Sequence, residues 1–409
     1  MKILHTSDWH IGRSLYGRKR YDECRAFLDW LAGRLVSEEI DVLLVAGDIF
    51  DSSTPSNRAL ELYYTFLCRV SESSCRHVVI TGGNHDSPSL LNAPREVLRF
   101  LDIHIIGRMT DLPDQEVLVL RDGAGKACLI VCAVPFLRDR DIREARAGES
   151  LEEKGNKLID GIATHYRDVA AIARQRRGEE GGNIPIVAMG HLFCAGARTA
   201  DADGVRDLYI GSLAHLDSAI FPDCIDYLAL GHLHIPQKVG GSETRRYSGS
   251  PLPMGFSEAG QDKSVLIVTF DGTVPAVSTL QVPCFMALET VRGDLAVILA
   301  RLEQLVKQRT PILIEVVYEG DDLVGDLQNQ LQDAVAGSTV HILRTVNNRI
   351  LKQALQQDHA GETLAELSVH QVFDRCLAAH LVPEEQCQDL RIAFLEAVSS
   401  LYHDDTRAE

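Results

Sequence analysis

Clusters of Asp, His and Asn at the ends of short apolar runs constrain the fold of this chain more than any other feature. Three early runs of strand length, Lys2–His5, Asp41–Ala46 and His77–Thr81, are each followed directly by such a cluster. The clusters are Thr6-Ser7-Asp8-Trp9-His10, Gly47-Asp48-Ile49-Phe50-Asp51 and Gly82-Gly83-Asn84-His85-Asp86. In open α/β sheets, ligands bind beyond the carboxyl ends of the strands. The pattern therefore predicts three consecutive strands that direct their polar ends at one common site.

Strand-like and helical segments alternate along roughly the first 275 residues. Beyond the three runs above, the predicted strands are Ile103–Ile106, Val117–Leu120, Ala127–Val134, Ile184–Met189, Tyr227–Leu230 and Val265–Phe270. The predicted helices are Tyr21–Glu38, Asn57–Ser71 and Leu151–Arg176. This alternation predicts an α/β domain whose largely buried sheet is sandwiched by helices.

The pattern changes near Pro283, so the 409 residues are expected to form more than one domain. The predicted order there is strand, helix, strand, helix, strand, which is a small α+β module. Its segments are Cys284–Val291, Leu295–Lys307, Pro311–Tyr318, Leu323–Ala334 and Thr339–Leu343. A polar stretch and two amphipathic helices, Leu364–His380 and Pro383–Tyr402, follow. The predicted domains are residues 1–280, 281–345 and 346–409.

The polar clusters contain a donor set that suits divalent metal ions. Carboxylate, imidazole and amide oxygen together are ligands for Mn²⁺, Mg²⁺ or Fe²⁺. The candidate ligands are Asp8, His10, Asp48, Asn84, His191, His232 and His234. Two ions ~3.5–4 Å apart need a bridging ligand, for which the two oxygens of a carboxylate are suited, and Asp48 is the natural candidate. Histidines outside these clusters, such as His5, His77, His104, His165 and His215, are expected to be ordinary core or surface residues.

The charge of the chain argues against simple binding to nucleic acid. The formal net charge is −17, whereas proteins that neutralise DNA phosphates usually present a basic face. One short basic stretch follows the first polar cluster. Its residues Arg13, Tyr16, Arg18, Lys19 and Arg20 are candidate contacts to a DNA backbone. The alternative is a solvated loop that balances nearby acidic residues.

The remaining sequence signals concern location and cofactors. No apolar run approaches the ~20 residues of a transmembrane helix, so no membrane association is expected. Ten scattered cysteines without a C-x-x-C pair indicate reduced thiols, and the absence of a signal peptide predicts a cytoplasmic protein. No phosphate-binding G-x-x-x-x-G-K-[ST] loop occurs, so any ATP dependence is expected to lie in a partner.

The motif order D-x-H, G-D, G-N-H-D, G-H and G-H-x-H resembles that of the calcineurin-like metallophosphoesterases. The motifs are most similar to those of one branch, the SbcD family of nuclease subunits. The resemblance is carried by MKILHTSDWHIG at residues 1–12, VAGDIFD at 45–51, GNHDS at 83–87, GHLHIP at 231–236 and YSGSP at 247–251. It extends through the small downstream module and so spans nearly the whole chain. The implied fold is a β-sandwich flanked by helices, with a small α+β capping domain and C-terminal helices.

The resemblance also implies roles for individual residues. One metal ion, most naturally Mn²⁺, would be held by Asp8, His10, Asp48 and His234. The other would be held by Asp48, Asn84, His191 and His232. His85 matches a family histidine that contacts the scissile phosphate, where it would donate a proton to the leaving 3′ oxygen or stabilise developing charge. Asp86 would either orient His85 or cap a turn. Some relatives carry a histidine where Asp51 stands, so a phosphate-contacting role for Asp51 is doubtful.

The implied activity is that of a manganese-dependent exonuclease on double-strand ends and an endonuclease on single strands or hairpins, in DNA repair. The implied partners are DNA and an SbcC-type, SMC-like ATPase that docks on the C-terminal helices. Two copies of this chain would form a homodimer within a heterotetramer that includes the ATPase. The complex would lie close to the nucleoid. The alternative is that the C-terminal helices pack on their own chain and bind no partner. Two other functions stay open, namely a phosphodiesterase or phosphatase on small or protein substrates and a catalytically inactive structural subunit.

Overall fold

The computed structural model describes residues 1–142, 150–194, 218–320, 324 and 326–347, and in the C-terminal region only residues 373, 374, 377, 390, 391 and 394. The chain divides into two compact units, Met1–Phe285 and Met286–Glu409.

The strands and helices of the described residues follow in chain order. The strands are β1 (Lys2–Thr6), β2 (Ser14–Leu15), β3 (Arg18–Lys19), β4 (Val42–Ala46), β5 (His77–Thr81), β6 (Ile103–Ile106), β7 (Val117–Arg121), β8 (Ala127–Ala133), β9 (Ile186–His191), β10 (Tyr227–Gly231), β11 (Gln237–Lys238), β12 (Arg245–Tyr247), β13 (Ser264–Asp271), β14 (Val274–Gln281), β15 (Ala287–Gly293), β16 (Ile312–Tyr318) and β17 (Val340–Asn347). The helices are α1 (Tyr21–Ser37), α2 (Asn57–Ser71), α3 (Pro88–Asn92), α4 (Arg95–Leu98), α5 (Asp139–Ile142), α6 (Leu151–Glu179), α7 (Leu295–Gln308) and α8 (Leu327–Val335).

The first unit contains two six-stranded sheets. The first sheet has the order β14-β13-β1-β4-β5-β6, and its strands β1, β4, β5 and β6 are parallel. The second sheet has the order β11-β12-β10-β9-β8-β7, in which β8, β9, β10 and β12 are parallel. Helices α1 and α2 cover the outer face of the first sheet, where Phe27, Leu31 and Phe66 are buried. Helix α6 covers the second sheet through residues such as Tyr166 and Val169.

The two sheets share a core. Leu44 and Val79 of the first sheet lie in one buried cluster with Val131 and Val187 of the second. The expectation of a single sheet between helices is therefore corrected, whereas the implied β-sandwich flanked by helices is confirmed. Strands that are buried on both faces read as continuous apolar runs. Their pattern does not reveal which strands share a sheet.

The predicted strands and helices of the first unit are confirmed within a few residues at their ends. Strand β14 was missed because it alternates between exposed and half-buried residues and contains Pro275. The hairpin β2–β3 was also missed, since each of its strands is only two residues long.

The second unit begins with a three-stranded parallel sheet of order β15-β16-β17. Helices α7 and α8 join these strands, and Ile298, Leu302 and Leu331 pack on Ile314 and Val316 of β16. The predicted alternation of strand and helix is confirmed here. Helix α7 begins after Asp294, whose side chain accepts a hydrogen bond from the amide of Val297.

The two predicted C-terminal helices, Leu364–His380 and Pro383–Tyr402, lie largely outside the described residues. Two contacts between them are described. The rings of Phe373 and Phe394 stack with centroids 3.9 Å apart, and Arg391 donates to Asp374 at 2.6 Å. Leu390 is exposed, whereas Leu377 is buried.

Two further findings concern cysteines and membranes. The cysteines of the described residues, Cys24, Cys68, Cys75, Cys128, Cys132, Cys194, Cys224 and Cys284, are free thiols, as predicted. Among the helices in the described ranges, none has the length and apolarity needed to cross a bilayer.

Candidate metal centre

All seven predicted metal ligands lie at the end of β9 or in the loops after β1, β4, β5 and β10. The strands concerned run parallel within each sheet, so these loops meet at one edge of the sandwich. Backbone hydrogen bonds tie the first two loops together. The amide of Asp8 donates to the carbonyl oxygen of Gly47 at 3.0 Å, and the amide of His10 donates to the carbonyl oxygen of Asp48 at 3.1 Å. The side chains are thereby fixed before any ligand binds.

The backbone at this edge is strained. Asp8, His10, Asp48 and His232 have φ angles of 54°, 45°, 51° and 98°. Left-handed conformations are costly for residues other than glycine and concentrate at functional sites. Four of the seven predicted ligands therefore stand in conformations that the surrounding structure must enforce.

Gly83 and Gly231 allow the loops to approach closely. A Cβ atom on Gly83 would lie 2.1 Å from Oδ1 of Asp48, and one on Gly231 would lie 1.9 Å from the carbonyl oxygen of Ala46. Both distances are far below van der Waals contact. These positions need glycine because the ligand loops pass directly over them.

Four of the predicted ligands form a first group. Oδ1 of Asn84 lies 3.0 Å from Nε2 of His191 and 3.0 Å from Nδ1 of His232. Oδ2 of Asp48 lies 3.2 Å from the same His191 nitrogen. The other nitrogen of His191 contacts the carbonyl oxygen of Ala46 at 2.9 Å, which fixes the ring. This group matches the set that the resemblance implied for one ion.

The remaining ligands form a second group around Asp8. Potential ligand atoms of Asp8, His10 and His234 all lie within 4.8 Å of one another. Oδ2 of Asp48 lies 3.7 Å from Nε2 of His10. Asp48 thus stands between the two groups, close to His10 on one side and to His191 on the other. A ligand that bridged two ions would need a position of this kind.

The electrostatics of both groups favour bound cations. Although burial opposes ionisation, the neighbouring His191 holds the pKa of Asp48 well below its usual range. Burial lowers the pKa of His232 to about 3, and it also lowers that of His10. Although burial opposes it, Asp48 raises the pKa of His191 to about 9, so His191 gives up a proton when a cation binds. His232 and His10 are already neutral imidazoles beside the ionised carboxylate, which suits a dication.

The environment of His10 tests whether the residues present fit a bound metal ion. Nε2 of this histidine is buried and makes no hydrogen bond to any residue in the described ranges, while its Nδ1 faces the carboxylate of Asp51 at 3.4 Å. Unpaired buried polar atoms are rare in folded proteins and call for an explanation. Coordination of a metal ion would provide one, so the residues present fit the implied ions.

His85 lies beside the second group, and its ring is fixed. Its centroid is 4.9 Å from that of His10, and its Nδ1 lies 2.9 Å from the carbonyl oxygen of Asp51. A carbonyl only accepts hydrogen bonds, so Nδ1 carries the hydrogen. The amide of His85 donates to Oδ1 of Asp48 at 2.9 Å, which ties this residue to the carboxylate of Asp48.

Asp86 does not orient His85. Its carboxylate accepts hydrogen bonds from three backbone amides, those of Ile49, Phe50 and Gly83, at 3.1, 3.0 and 2.9 Å. The expectation of a His85–Asp86 pair is therefore corrected, and the turn-capping alternative describes its contacts. Asp86 braces the loop that carries Asp48 against the loop that carries Asn84.

Asp51 contacts His10, one of the predicted ligands. Its Oδ1 lies 3.4 Å from Nδ1 of His10 and 3.1 Å from a guanidinium nitrogen of Arg13. Although burial opposes ionisation, these neighbours lower the pKa of Asp51 to about 2. A carboxylate beside the outer nitrogen of a ligating histidine orients that ring.

Glu258 and Lys263 were missed by the sequence reasoning. Glu258 is fully buried, and its Oε1 lies 3.5 Å from Nδ1 of His234. Its other oxygen accepts a hydrogen bond from Lys263, which also donates to Ser250 and to the carbonyl of His234. A buried carboxylate with a buried lysine leaves no periodic pattern. A charged pair at i and i+5 was the only signal available.

The basic stretch forms the hairpin β2–β3, whose turn residues Tyr16 and Gly17 have φ angles of 47° and 82°. Tyr16 and Lys19 are exposed and Arg18 is half-buried. The DNA contact predicted for Arg20 is corrected, because Arg20 is buried and its guanidinium binds Glu23.

Two family models match the chain. The calcineurin-like phosphoesterase model matches residues 1–236, and the model described as the type 5 capsule protein repressor C-terminal domain matches residues 284–380.

Three curated relatives carry the same name, that of the SbcD component of the nuclease SbcCD. The protein of Escherichia coli strain K12 is 38% identical over 98% of this chain and 98% of its own length. That of Rhodobacter capsulatus is 38% identical over 75% of this chain and 76% of its own. The protein of Bacillus subtilis is 29% identical over the full length of both chains. This chain belongs to the SbcD family of nuclease subunits within the calcineurin-like phosphoesterases.

Proposed function

We propose that this chain is a two-metal phosphodiesterase that cleaves DNA as the nuclease subunit of a repair complex. The observation that carries the proposal is the position of Asp48 between two groups of ligands, Asp8–His10–His234 and Asn84–His191–His232. A bridging carboxylate between two such groups is the arrangement of two-metal phosphoesterases. The names and identities of the curated relatives support DNA as the substrate.

The bound ions are proposed to be Mn²⁺, with Mg²⁺ or Fe²⁺ as alternatives. The mixed set of imidazole, carboxylate and amide oxygen suits these metals better than Ca²⁺, which takes oxygen ligands. When bound, two such ions lower the pKa of water and offset negative charge on phosphate oxygens.

His85 is proposed as the residue that serves the leaving 3′ oxygen. Because Nδ1 donates to the carbonyl of Asp51, only Nε2 is left to exchange a proton with substrate. Nε2 can donate in the imidazolium form, and the carbonyl partner keeps the ring oriented in both forms. His85 contacts Asp48 only through its backbone amide, so its loss should leave the ligand set intact.

The hairpin β2–β3 is proposed to contact the DNA backbone through Tyr16, Arg18 and Lys19. Arg13 precedes the hairpin and is held by Asp51 and by the carbonyl of Met254. The hairpin is thereby fixed beside the second ligand group. A short basic surface next to bound cations allows an acidic protein to hold a phosphate backbone locally.

The experiment is digestion of end-labelled duplex and hairpin DNA by the full chain in Mn²⁺, Mg²⁺ or EDTA, with the variant His85→Gln. We expect cleavage in Mn²⁺, none in EDTA, and a loss of about 10²- to 10⁴-fold in His85→Gln. Calorimetry with Mn²⁺ should show unchanged metal affinity in the variant. Equal rates for both proteins would contradict the role of His85, and cleavage in EDTA would contradict the metal mechanism.

A second candidate function is hydrolysis of small nucleotide phosphodiesters at the same centre. It is favoured by the internal contacts of Arg13 and Arg20, which reduce the basic surface available to DNA. A small phosphodiester added to the same assay separates the two functions. Turnover of this compound without cleavage of any DNA would favour the second candidate.

The ATPase partner is proposed to bind the C-terminal region, residues 346–409, and residues 281–345 are proposed to form a capping domain. Phe373 and Phe394 pack on each other, whereas Leu390 is exposed and is available to a partner. Co-purification with an SMC-like ATPase should weaken in Leu390→Glu and persist in Val274→Glu, a matched exposed position in β14. Unchanged binding in Leu390→Glu would place the docking surface elsewhere.

We further propose that the complex is a heterotetramer around a dimer of this chain and lies on DNA in the cytoplasm.

A further inference from the structure

A second group of potential metal ligands lies at the opposite end of the first sheet from the metal centre. His77 is the first residue of β5, and His104 lies in the neighbouring parallel strand β6. Asp102 directly precedes β6. The strand β5 leads from His77 to Thr81, after which Asn84 and His85 follow. Four steps of about 3.3 Å place His77 roughly 13 Å from the end of the strand that serves the metal centre.

His77 is buried and its tautomer is defined. Its Nε2 lies 2.8 Å from the carbonyl oxygen of Arg121, and because a carbonyl only accepts, Nε2 carries the hydrogen. Nδ1 then bears a lone pair. This nitrogen is buried, lies 3.9 Å from Oδ1 of Asp102 and makes no hydrogen bond within the described part of the chain. Histidines that bind metals through one nitrogen commonly donate from the other to a carbonyl in this way.

His104 supplies a second nitrogen of the same kind. Its Nε2 is buried and has no hydrogen-bond partner among the described residues. Burial, with a contribution from nearby His77, lowers the pKa of His104 to about 4, so the ring is neutral at physiological pH. Potential ligand atoms of His77, Asp102 and His104 all lie within 4.8 Å of one another. His104 also lines a cavity of about 310 Å³ beside Leu118 and Arg176.

We propose that His77, Asp102 and His104 bind one transition-metal dication of the Zn²⁺ class, separate from the two ions of the metal centre. Two imidazoles and one carboxylate are borderline-soft ligands that suit Zn²⁺, Co²⁺ or Ni²⁺, whereas Mg²⁺ and Ca²⁺ prefer oxygen. Three protein ligands leave one position for water or a small anion. The bound ion ties β5 to β6 and shares no ligand with the metal centre.

The test is calorimetric titration with Zn²⁺ alone on the full chain carrying Asp48→Asn, which disables the bridging position of the metal centre. The addition of His104→Gln should remove one equivalent of bound Zn²⁺ or weaken it at least tenfold. Asp102→Asn is a second variant, because the Asp102 side chain is 61% exposed and its change leaves the core intact. His341→Gln, which alters an exposed histidine of the second unit, is the matched control and should change nothing.

Equal stoichiometry and affinity in the Asp48→Asn parent, the His104→Gln variant and the Asp102→Asn variant would overturn the proposal. Thermal unfolding gives a second readout, since Zn²⁺ should raise the Tm of the parent and not that of the two variants. Cleavage of DNA in Mn²⁺ by a His104→Gln chain with Asp48 intact should match that of the unaltered chain. This result separates the zinc-class site from the proposed nuclease activity.

Discussion

The ion pair of Glu258 and Lys263 gives a prediction whose magnitude follows from burial. The side chains are 0% and 4% exposed. Lys263 also donates to Ser250 at 3.1 Å and to the carbonyl of His234 at 3.2 Å, while Glu258 accepts from the amide of Met254 at 3.0 Å. Each charge is therefore compensated almost entirely by the other. Removal of one partner leaves an uncompensated buried charge.

Breaking a buried pair from one side costs about 3–5 kcal/mol, whereas replacement of both partners by neutral groups can be nearly neutral. Glu258→Gln and Lys263→Met should each lower the free energy of unfolding by this amount. The double variant should lose much less than their sum. The exposed pair Lys238–Glu243 is the control. Lys238→Met should cost less than about 1 kcal/mol, because solvent screens this pair.

Urea unfolding in EDTA, followed by tryptophan fluorescence, measures these changes. Trp9 and Trp30, the two tryptophans of the chain, both lie in the first unit, so the signal reports the unit that contains the pair. Additive losses in the double variant, or single losses below about 1 kcal/mol, would refute the reasoning. Glu258→Gln should in addition weaken Mn²⁺ binding about 10- to 100-fold, because Glu258 lies beside His234.

Three further predictions concern single residues. Gly83→Ala should abolish tight Mn²⁺ binding in calorimetry, because the added Cβ would lie 2.3 Å from the backbone nitrogen of Asp48; retained affinity would show that the loops can separate without loss of the site. Asp51→Asn should weaken Mn²⁺ binding roughly tenfold, because Asp51 lies 3.4 Å from the outer nitrogen of His10; an unchanged Kd would contradict an orienting role. Burial lowers the pKa of His5 from 6.5 to about 3, so the unfolded chain binds a proton here at pH 5 and the folded chain does not. Lowering the pH from 7 to 5 should therefore reduce the free energy of unfolding by about 2 kcal/mol through His5. This loss should be absent in His5→Gln, and equal pH dependence of urea unfolding in both proteins would contradict it.

The clustering of the predicted ligands was within reach of sequence reasoning for a physical reason. The candidate ligands are Asp, His and Asn at the ends of apolar strands, so both signals are local along the chain. The groups Asp8–His10–His234 and Asn84–His191–His232 join residues more than 200 and more than 100 positions apart, yet each member is marked by its own strand and turn.

The parts that sequence reasoning missed depend on contacts across the fold. The division of the strands into two sheets is set by which apolar faces meet, and strands buried on both faces look alike. The pair of Glu258 and Lys263 and the burial of Arg20 depend on charges that are brought together only by folding. Asp86 was left open between orienting His85 and capping a turn, and in the structure its carboxylate accepts from the amides of Ile49 and Phe50 in the neighbouring loop and of Gly83 in its own.

The most direct test of the two-metal account is cleavage of end-labelled duplex DNA in Mn²⁺ by the full chain and by Asp48→Asn. Asp48 is the ligand that both groups share, so its change should disable both ions together. The account predicts cleavage by the unaltered chain, and a loss of at least 10³-fold together with weakened Mn²⁺ binding in the variant, on the order expected for removal of a catalytic metal. Undiminished cleavage by Asp48→Asn would contradict it.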